Sequence, residues 1–249
     1  MNLLRLTNIS RVFGKLVALQ NVEIDMASGQ LYAVIGPNGA GKTTLFNLIS
    51  GFFPATTGEI WFDGAAINRV NAARRVALGL VRTFQITEIF PELSVFENVR
   101  IGVEAEARVS ARPWPSPAFI RQIHARVDEL LEITGLTALA DHTVSELAHG
   151  DQRVVEMTMA LSRRPKLLLL DEPTAGMGEA ETAHMVKLIR DLHARQKQSI
   201  LFIEHDMDMV FGIADRITVL NYGKVLAAGT PQEVAADPQV QAAYLGEAA

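Results

Sequence analysis

The chain has 249 residues, 49% hydrophobic and 20% charged, proportions that exclude wholesale disorder. Its net charge of −5 argues against a strongly basic nucleic-acid binder. The absence of cysteine excludes a disulfide scaffold, Cys-ligated zinc, an iron–sulfur cluster and a thiol nucleophile. No apolar run approaches the roughly 18–20 residues that span a bilayer, and the first residues lack a basic stretch followed by a long apolar one. Neither a membrane helix nor a signal peptide is therefore expected, and the length suits one domain with subdomains.

Residues 3–9 and 19–26 alternate in hydropathy, predicting short strands on either side of a break at 11–15, with a turn at Ser28 and Gly29. Residues 31–35 form an apolar run of buried-strand type, which enters a glycine-rich loop and then a helix over 43–50 ended by Gly51. Residues 59–62 read as a strand, with Asp63 and Gly64 at a hairpin turn. Residues 86–160 are mostly helical, interrupted by a proline-rich stretch at 112–117 that predicts an exposed loop. After it, Phe119, Ile120, Ile123, Val127, Leu130 and Leu131 fall on one helical face.

Residues 167–170 and 199–203 return as buried strands, each followed by a helical stretch, the βαβ rhythm of a parallel sheet. Residues 216–220 and 225–228 suggest a hairpin turning at Tyr222 and Gly223. Thr230, Pro231 and Glu233 are the N-cap, N1 and N3 residues of a following helix. His124, His142, His184 and His193 lack ligand spacing and read as surface residues, and Met207 and Met209 as packing. Arg163, Arg164 and Lys166 suit a helix C-terminus.

Gly36, Pro37, Asn38, Gly39, Ala40, Gly41, Lys42 and Thr43 match G-x-x-x-x-G-K-[ST] at every fixed position, between a predicted strand and a predicted helix. Glycines let successive backbone N–H groups curl around phosphate oxygens, and the helix offers its positive N-terminus to the same anion. Lys42 can reach the β- and γ-phosphates, and the Thr43 hydroxyl can ligate Mg²⁺. A second apolar strand ends in Asp171 and Glu172. Ligands of open parallel sheets bind at that end, so Asp171 is a Mg²⁺ ligand candidate and Glu172 a general base candidate. Gln85 closes a short strand, where it could orient water or touch Mg²⁺. His205 ends a third buried strand, where it could contact the γ-phosphate.

Together these residues resemble the ATP-binding subunits of ABC transporters over nearly the whole chain. Residues 36–44, through Thr44, look like the Walker A loop, and Gln85 looks like the Q-loop. Leu147, Ala148, His149, Gly150 and Asp151 look like the signature, residues 167–172 like Walker B, and His205 like the switch histidine. Phe13 sits where the family stacks an aromatic ring on adenine. The resemblance implies an α/β fold: a P-loop NTPase (RecA-like) core with an antiparallel β subdomain and a helical subdomain. Residues 1–85 and 161–229 would form the nucleotide-binding core, 86–160 the helical and signature part, and 230–249 a helical tail.

Residues 147–153, 203–207 and 243–246 further resemble the subgroup that imports branched-chain and other hydrophobic amino acids. Its relatives take up urea, short amides or aromatic acids. This implies ATP and Mg²⁺ as cofactors. The implied partners are a second ATPase subunit, with a heterodimer favoured over a homodimer, two transmembrane permeases and, indirectly, a substrate-binding protein, with no nucleic acid. The implied location is the cytoplasmic face of the inner membrane, through the permeases. Phe90, Pro91 and Leu93 would offer a permease docking surface.

Two departures stand out: Ala148 and His149 replace the usual Ser and Gly of the signature, and Gly178 stands where the D-loop commonly has Asp. The competing readings are an ATPase for lipid or lipopolysaccharide export, a soluble ATP-driven clamp on ribosomes or DNA, and a non-hydrolysing regulator. A single cassette, a short 86–146 segment and the presence of Glu172 and His205 argue against the last two.

Overall fold

The computed structural model describes residues 2–83, 89–107 and 116–245. Gln85, Trp114 and Gly246 lie outside that set. The chain opens with two long antiparallel strands, β1 (Asn2–Phe13) and β2 (Leu16–Ala27), each of 12 residues. The break expected at 11–15 is only the turn between them. Ladder irregularities near Ile9 and Arg11, with Asn8 and Asn21 at positive φ, scramble the alternation without ending the strands. β4 (Thr57–Phe62) and the short β5 (Ala65–Ala66) complete a sheet of order β2-β1-β4-β5. Asp63 and Gly64, both at positive φ, form the tight turn between them.

The second sheet has six strands, in the order β10-β9-β3-β8-β7-β6. Its members are β3 (Leu31–Ile35), β6 (Leu80–Arg82), β7 (Leu167–Asp171), β8 (Ser199–Ile203), β9 (Arg216–Asn221) and β10 (Lys224–Gly229). All neighbours run parallel except β9 and β10. Strands β3, β7 and β8 are buried along their whole length, which is why they read as continuous apolar runs. Their side chains still alternate. Tyr32, Val34, Leu167, Leu169, Leu201 and Ile203 face the four-stranded sheet and helix α1 (Lys42–Ser50). Ala33, Leu168, Leu170, Ile200 and Phe202 face the helices of the other layer.

That layer contains α3 (Val95–Glu106), α4 (Pro117–Thr134), α5 (His149–Ser162) and α6 (Glu179–Gln196). Ser94 and Glu97 close a capping box on α3. On α4 the buried stripe is Ile123, Val127, Leu130, Leu131 and Thr134. Ile120, expected on it, is exposed, while Phe119 beside it is half-buried against the core. Pro117 is the first residue of α4, capped by Ser116, and not loop.

Helix α2 (Ala72–Ala77), capped by Asn71, carries no apolar periodicity and was not expected. It positions Arg75, which is 2% exposed and donates to the carbonyls of Leu48, Ile49, Ile67 and Val70. Two of those carbonyls lie in the last turn of α1, so a buried cation caps that helix. Burial lowers the Arg75 pKa to about 10, which still leaves it charged at neutral pH. Helices α7 (Met207–Ile213), α8 (Pro231–Ala235) and α9 (Pro238–Leu245) follow β8 and β10. The Thr230–Glu233 capping box of α8 is formed as expected. No helix among the described residues is long and apolar enough to cross a membrane.

Candidate functional site: a glycine-rich loop facing the strand ends that carry Glu172 and His205

Strands β3, β7 and β8 are parallel neighbours, so their carboxyl ends open on one side of the sheet. From β3 the chain enters the loop 36–41. Gly36 holds φ 149, and a Cβ there would lie 2.1 Å from the Leu220 carbonyl oxygen, so no larger residue fits. Gly41 caps α1 in the left-handed region. The first turn of α1 carries no acidic residue, so its N–H groups and dipole favour an external anion. The Lys42 ammonium is buried, donating to the carbonyls of Gly36 at 2.6 Å and Pro37 at 3.1 Å. The β9–β10 turn braces the loop: Gly223 N–H donates to Ala40, and Gln20 N–H donates to Gly223.

At the end of β7, Asp171 is buried and paired with Arg82 of β6, Nη2 to Oδ2 at 2.5 Å. Arg82 also donates to Asn47 and Ser50 of α1. One guanidinium therefore ties the loop helix to β7. Glu172 turns out of the strand with φ 50, and its N–H donates to Ile203 at the end of β8. Its Oε1 lies 3.0 Å from Nε2 of His205.

Glu172 and His205 share a cavity of about 370 Å³ with Asn38, Gly39, Ala40, Gly41, Lys42, Thr43 and Thr44. Leu16, Val17, Ala18, Tyr222 and Gly223 form its rim. A larger groove of about 470 Å³ lies elsewhere, between Arg5, Glu23, Asp25, Tyr32 and Arg216. Burial there raises the Tyr32 pKa, but its carboxylates, Glu23 and Asp25, belong to β2 and no residue of the glycine-rich loop lines it. Of the two, the 370 Å³ cavity is the one that brings the glycine-rich loop, Lys42, Glu172 and His205 together.

Phe13 does not line the cavity. Its ring stacks edge-on against Phe53 at 5.4 Å, with the Arg11 guanidinium 4.4 Å from its centre. Tyr222, not singled out from the sequence, stands 88% exposed on the rim.

Residues 147–151, which resemble the signature, lie at the start of α5, outside the cavity. Ala148 is the N-cap and offers no side-chain acceptor. Glu181 of α6 supplies one instead, accepting from Gly150 N–H at 3.1 Å and from Gly178 N–H at 3.0 Å. Those donors hold its carboxyl below the usual range. Arg82, Glu181 and the buried Glu204 were all missed from the sequence. For Arg82 and Glu204 the signal available was a charged residue inside or beside an otherwise apolar strand; for Glu181 it was a glutamate three residues after Gly178 at a helix start. Phe90 is exposed and Leu93 half-buried.

The profile of the ABC transporter family matches residues 19–175. This chain belongs to the ATP-binding subunits of ABC transporters. ATP binding and hydrolysis coupled to transport is the family's activity and this chain's. A second profile, the branched-chain amino acid ATP-binding cassette transporter, matches residues 224–249. The high-affinity branched-chain amino acid transport ATP-binding protein LivG of Salmonella typhimurium is 39% identical, covering 99% of this chain and 98% of its own. BraF of Pseudomonas aeruginosa, described in the same words, is 37% identical over the same shares. An ATP-binding cassette of an ABC transporter, solved in its ADP conformation, superposes with a TM-score of 0.87 at 32% identity, covering 99% of each chain.

Proposed function

We propose that this subunit powers uptake of branched-chain amino acids or chemically related solutes, held at the cytoplasmic face of the inner membrane by two permeases. The observation that carries the catalytic part is the 3.0 Å approach of Glu172 and His205 across the phosphate-loop cavity. The names of the whole-length relatives and the match at 224–249 support the substrate class.

In this reading the loop N–H groups, the N-terminus of α1 and Lys42 hold the β- and γ-phosphates. The Thr43 hydroxyl and the Asp171 carboxylate are hard oxygen donors of the kind Mg²⁺ takes. No group of three His, Cys, Asp or Glu side chains clusters among the described residues. A nucleotide-borne Mg²⁺ needs none, because phosphates and water complete its shell. Bound there, Mg²⁺ neutralises phosphate charge. Glu172 accepts a proton from water as the water oxygen bonds to the γ-phosphorus. The bond from that phosphorus to the β–γ bridging oxygen breaks, ADP keeps the electron pair, and phosphate leaves. His205 contacts the γ-phosphate, and Gln85 orients the water.

The signature at 147–151 serves the site of a second ATPase subunit, and a heterodimer is the preferred assembly. A substrate-binding protein feeds the permeases, and no nucleic acid takes part. Affinity purification of the tagged chain in mild detergent tests the assembly. Recovery of two polytopic permeases and a second ATPase supports it, whereas recovery with ribosomes or a lipid-export complex overturns it. Glu172→Gln should lower turnover by about 100-fold or more while ATP still drives dimerisation. Parental turnover would remove Glu172 as the base.

A further inference from the structure

Glu204 is a charged side chain that the mechanism above does not use. It is 4% exposed. A buried carboxylate is costly unless donors or cations surround it, and here donors converge from two segments. Oε1 accepts from the Thr174 backbone N–H at 2.9 Å and from the Thr174 hydroxyl at 2.5 Å. Oε2 accepts from the His205 backbone N–H at 2.9 Å. Thr174 lies just after Glu172, in a tight loop where Ala175 N–H donates to Glu172 and Met177 N–H to Thr174. That loop ends at Gly178, the N-cap of α6. The contacts therefore close a ring. Glu172 runs through Pro173 to Thr174, Thr174 is joined by the Glu204 carboxylate to His205, and His205 returns through its ring to Glu172.

We propose that Glu204 is a positioning residue: its carboxylate locks the His205 backbone to the loop after Glu172, so that base and histidine hold one geometry and move as a unit with residues 173–178. The inference rests on the reading of Glu172 and His205 given above. The requirement is for an acceptor on both arms. A glutamine at 204 turns an NH₂ donor towards either Thr174 or His205, so a donor faces a donor and one link of the ring opens. The phosphate loop and Lys42 are untouched, so nucleotide binding should persist.

The test is steady-state ATP turnover by the full chain in its purified transporter, with ADP affinity and melting temperature measured in parallel. Glu204→Gln should lower kcat by about tenfold or more, the loss of one charge-assisted hydrogen bond, with KM for ATP and ADP affinity within about twofold of the parent. Thr174→Ser, which keeps the hydroxyl, should retain the parental kcat, and Thr174→Val should lose part of it. The decisive measurement is the cycle with His205→Ala. If Glu204 acts through His205, the double variant is no slower than His205→Ala alone. If His205→Ala itself retains parental turnover, the reading of the site is wrong. If His205→Ala is slow but Glu204→Gln keeps kcat, or the two losses multiply, the site stands and the positioning role falls. A Glu204→Gln chain that only melts earlier, with kcat unchanged on the folded protein, likewise overturns it.

Discussion

Replacing Arg82 with Met tests the link between the phosphate-loop helix and β7. The Arg82 and Asp171 side chains are 7% and 2% exposed and meet at 2.5 Å. Methionine keeps the apolar stem near Phe46 and Phe52, whose ring centres lie 5.7 Å from the guanidinium carbon. It removes the cation and the donors to Asn47 and Ser50. Asp171 then stays buried without that charge partner. Breaking a buried pair from one side costs about 3–5 kcal/mol. Unfolding entropy of about 2.1 cal/mol/K per residue gives about 0.5 kcal/mol/K for this chain, so the melting temperature should fall by about 6–10 °C. Adding Asp171→Asn removes the uncompensated charge and should recover more than half of the loss.

The variant also frees a carboxylate that the proposed function assigns to Mg²⁺. The extra stabilisation of the ADP-bound protein by Mg²⁺ should therefore be larger in Arg82→Met than in the parent. Differential scanning calorimetry with ADP, with and without Mg²⁺, reads both effects. A melting temperature within about 2 °C of the parent, or no recovery in the double variant, would refute the assigned role of the pair.

Arg75→Ala leaves three buried carbonyls and the half-buried one of Val70 without their cation; it should destabilise the chain by at least about 3 kcal/mol, and a urea midpoint equal to the parent's would contradict this. Arg75→Lys should recover less than half, because one ammonium cannot reach four oxygens arranged around a planar fork. Glu97, Glu181 and Glu233 are each held below the ordinary value of 4.5 by hydrogen bonds at helix starts. A depressed carboxylate stabilises the fold above its unfolded pKa, and that contribution is lost as pH falls through the folded value. Stability of the parent should thus drop below about pH 4.5 more steeply than that of a triple Glu→Gln variant, and parallel denaturation curves across pH would count against the capping role.

The parts legible in the sequence are those whose cause is local. The phosphate loop needs glycine where φ is positive and where Leu220 approaches Gly36, and that demand is written into residues 36–41 themselves. The strands β3, β7 and β8 show as apolar runs because both faces are covered, and the box at Thr230 and Glu233 closes within three residues. The long first hairpin was obscured because its ladder irregularities break the period that alternation relies on.

Partners distant in the chain left no such trace. Arg82 meets Asp171 across 89 positions, Glu204 meets Thr174 across 30, and Glu181 meets Gly150 across 31. Phe13 packs on Phe53 and Arg11, outside the cavity. Helix α2 has no apolar stripe because its anchor is a buried arginine. Backbone conformation and binary pattern are short-range properties that neighbouring residues encode. The partner that neutralises a buried charge is chosen by which strand ends and helix starts the packed sheet brings together.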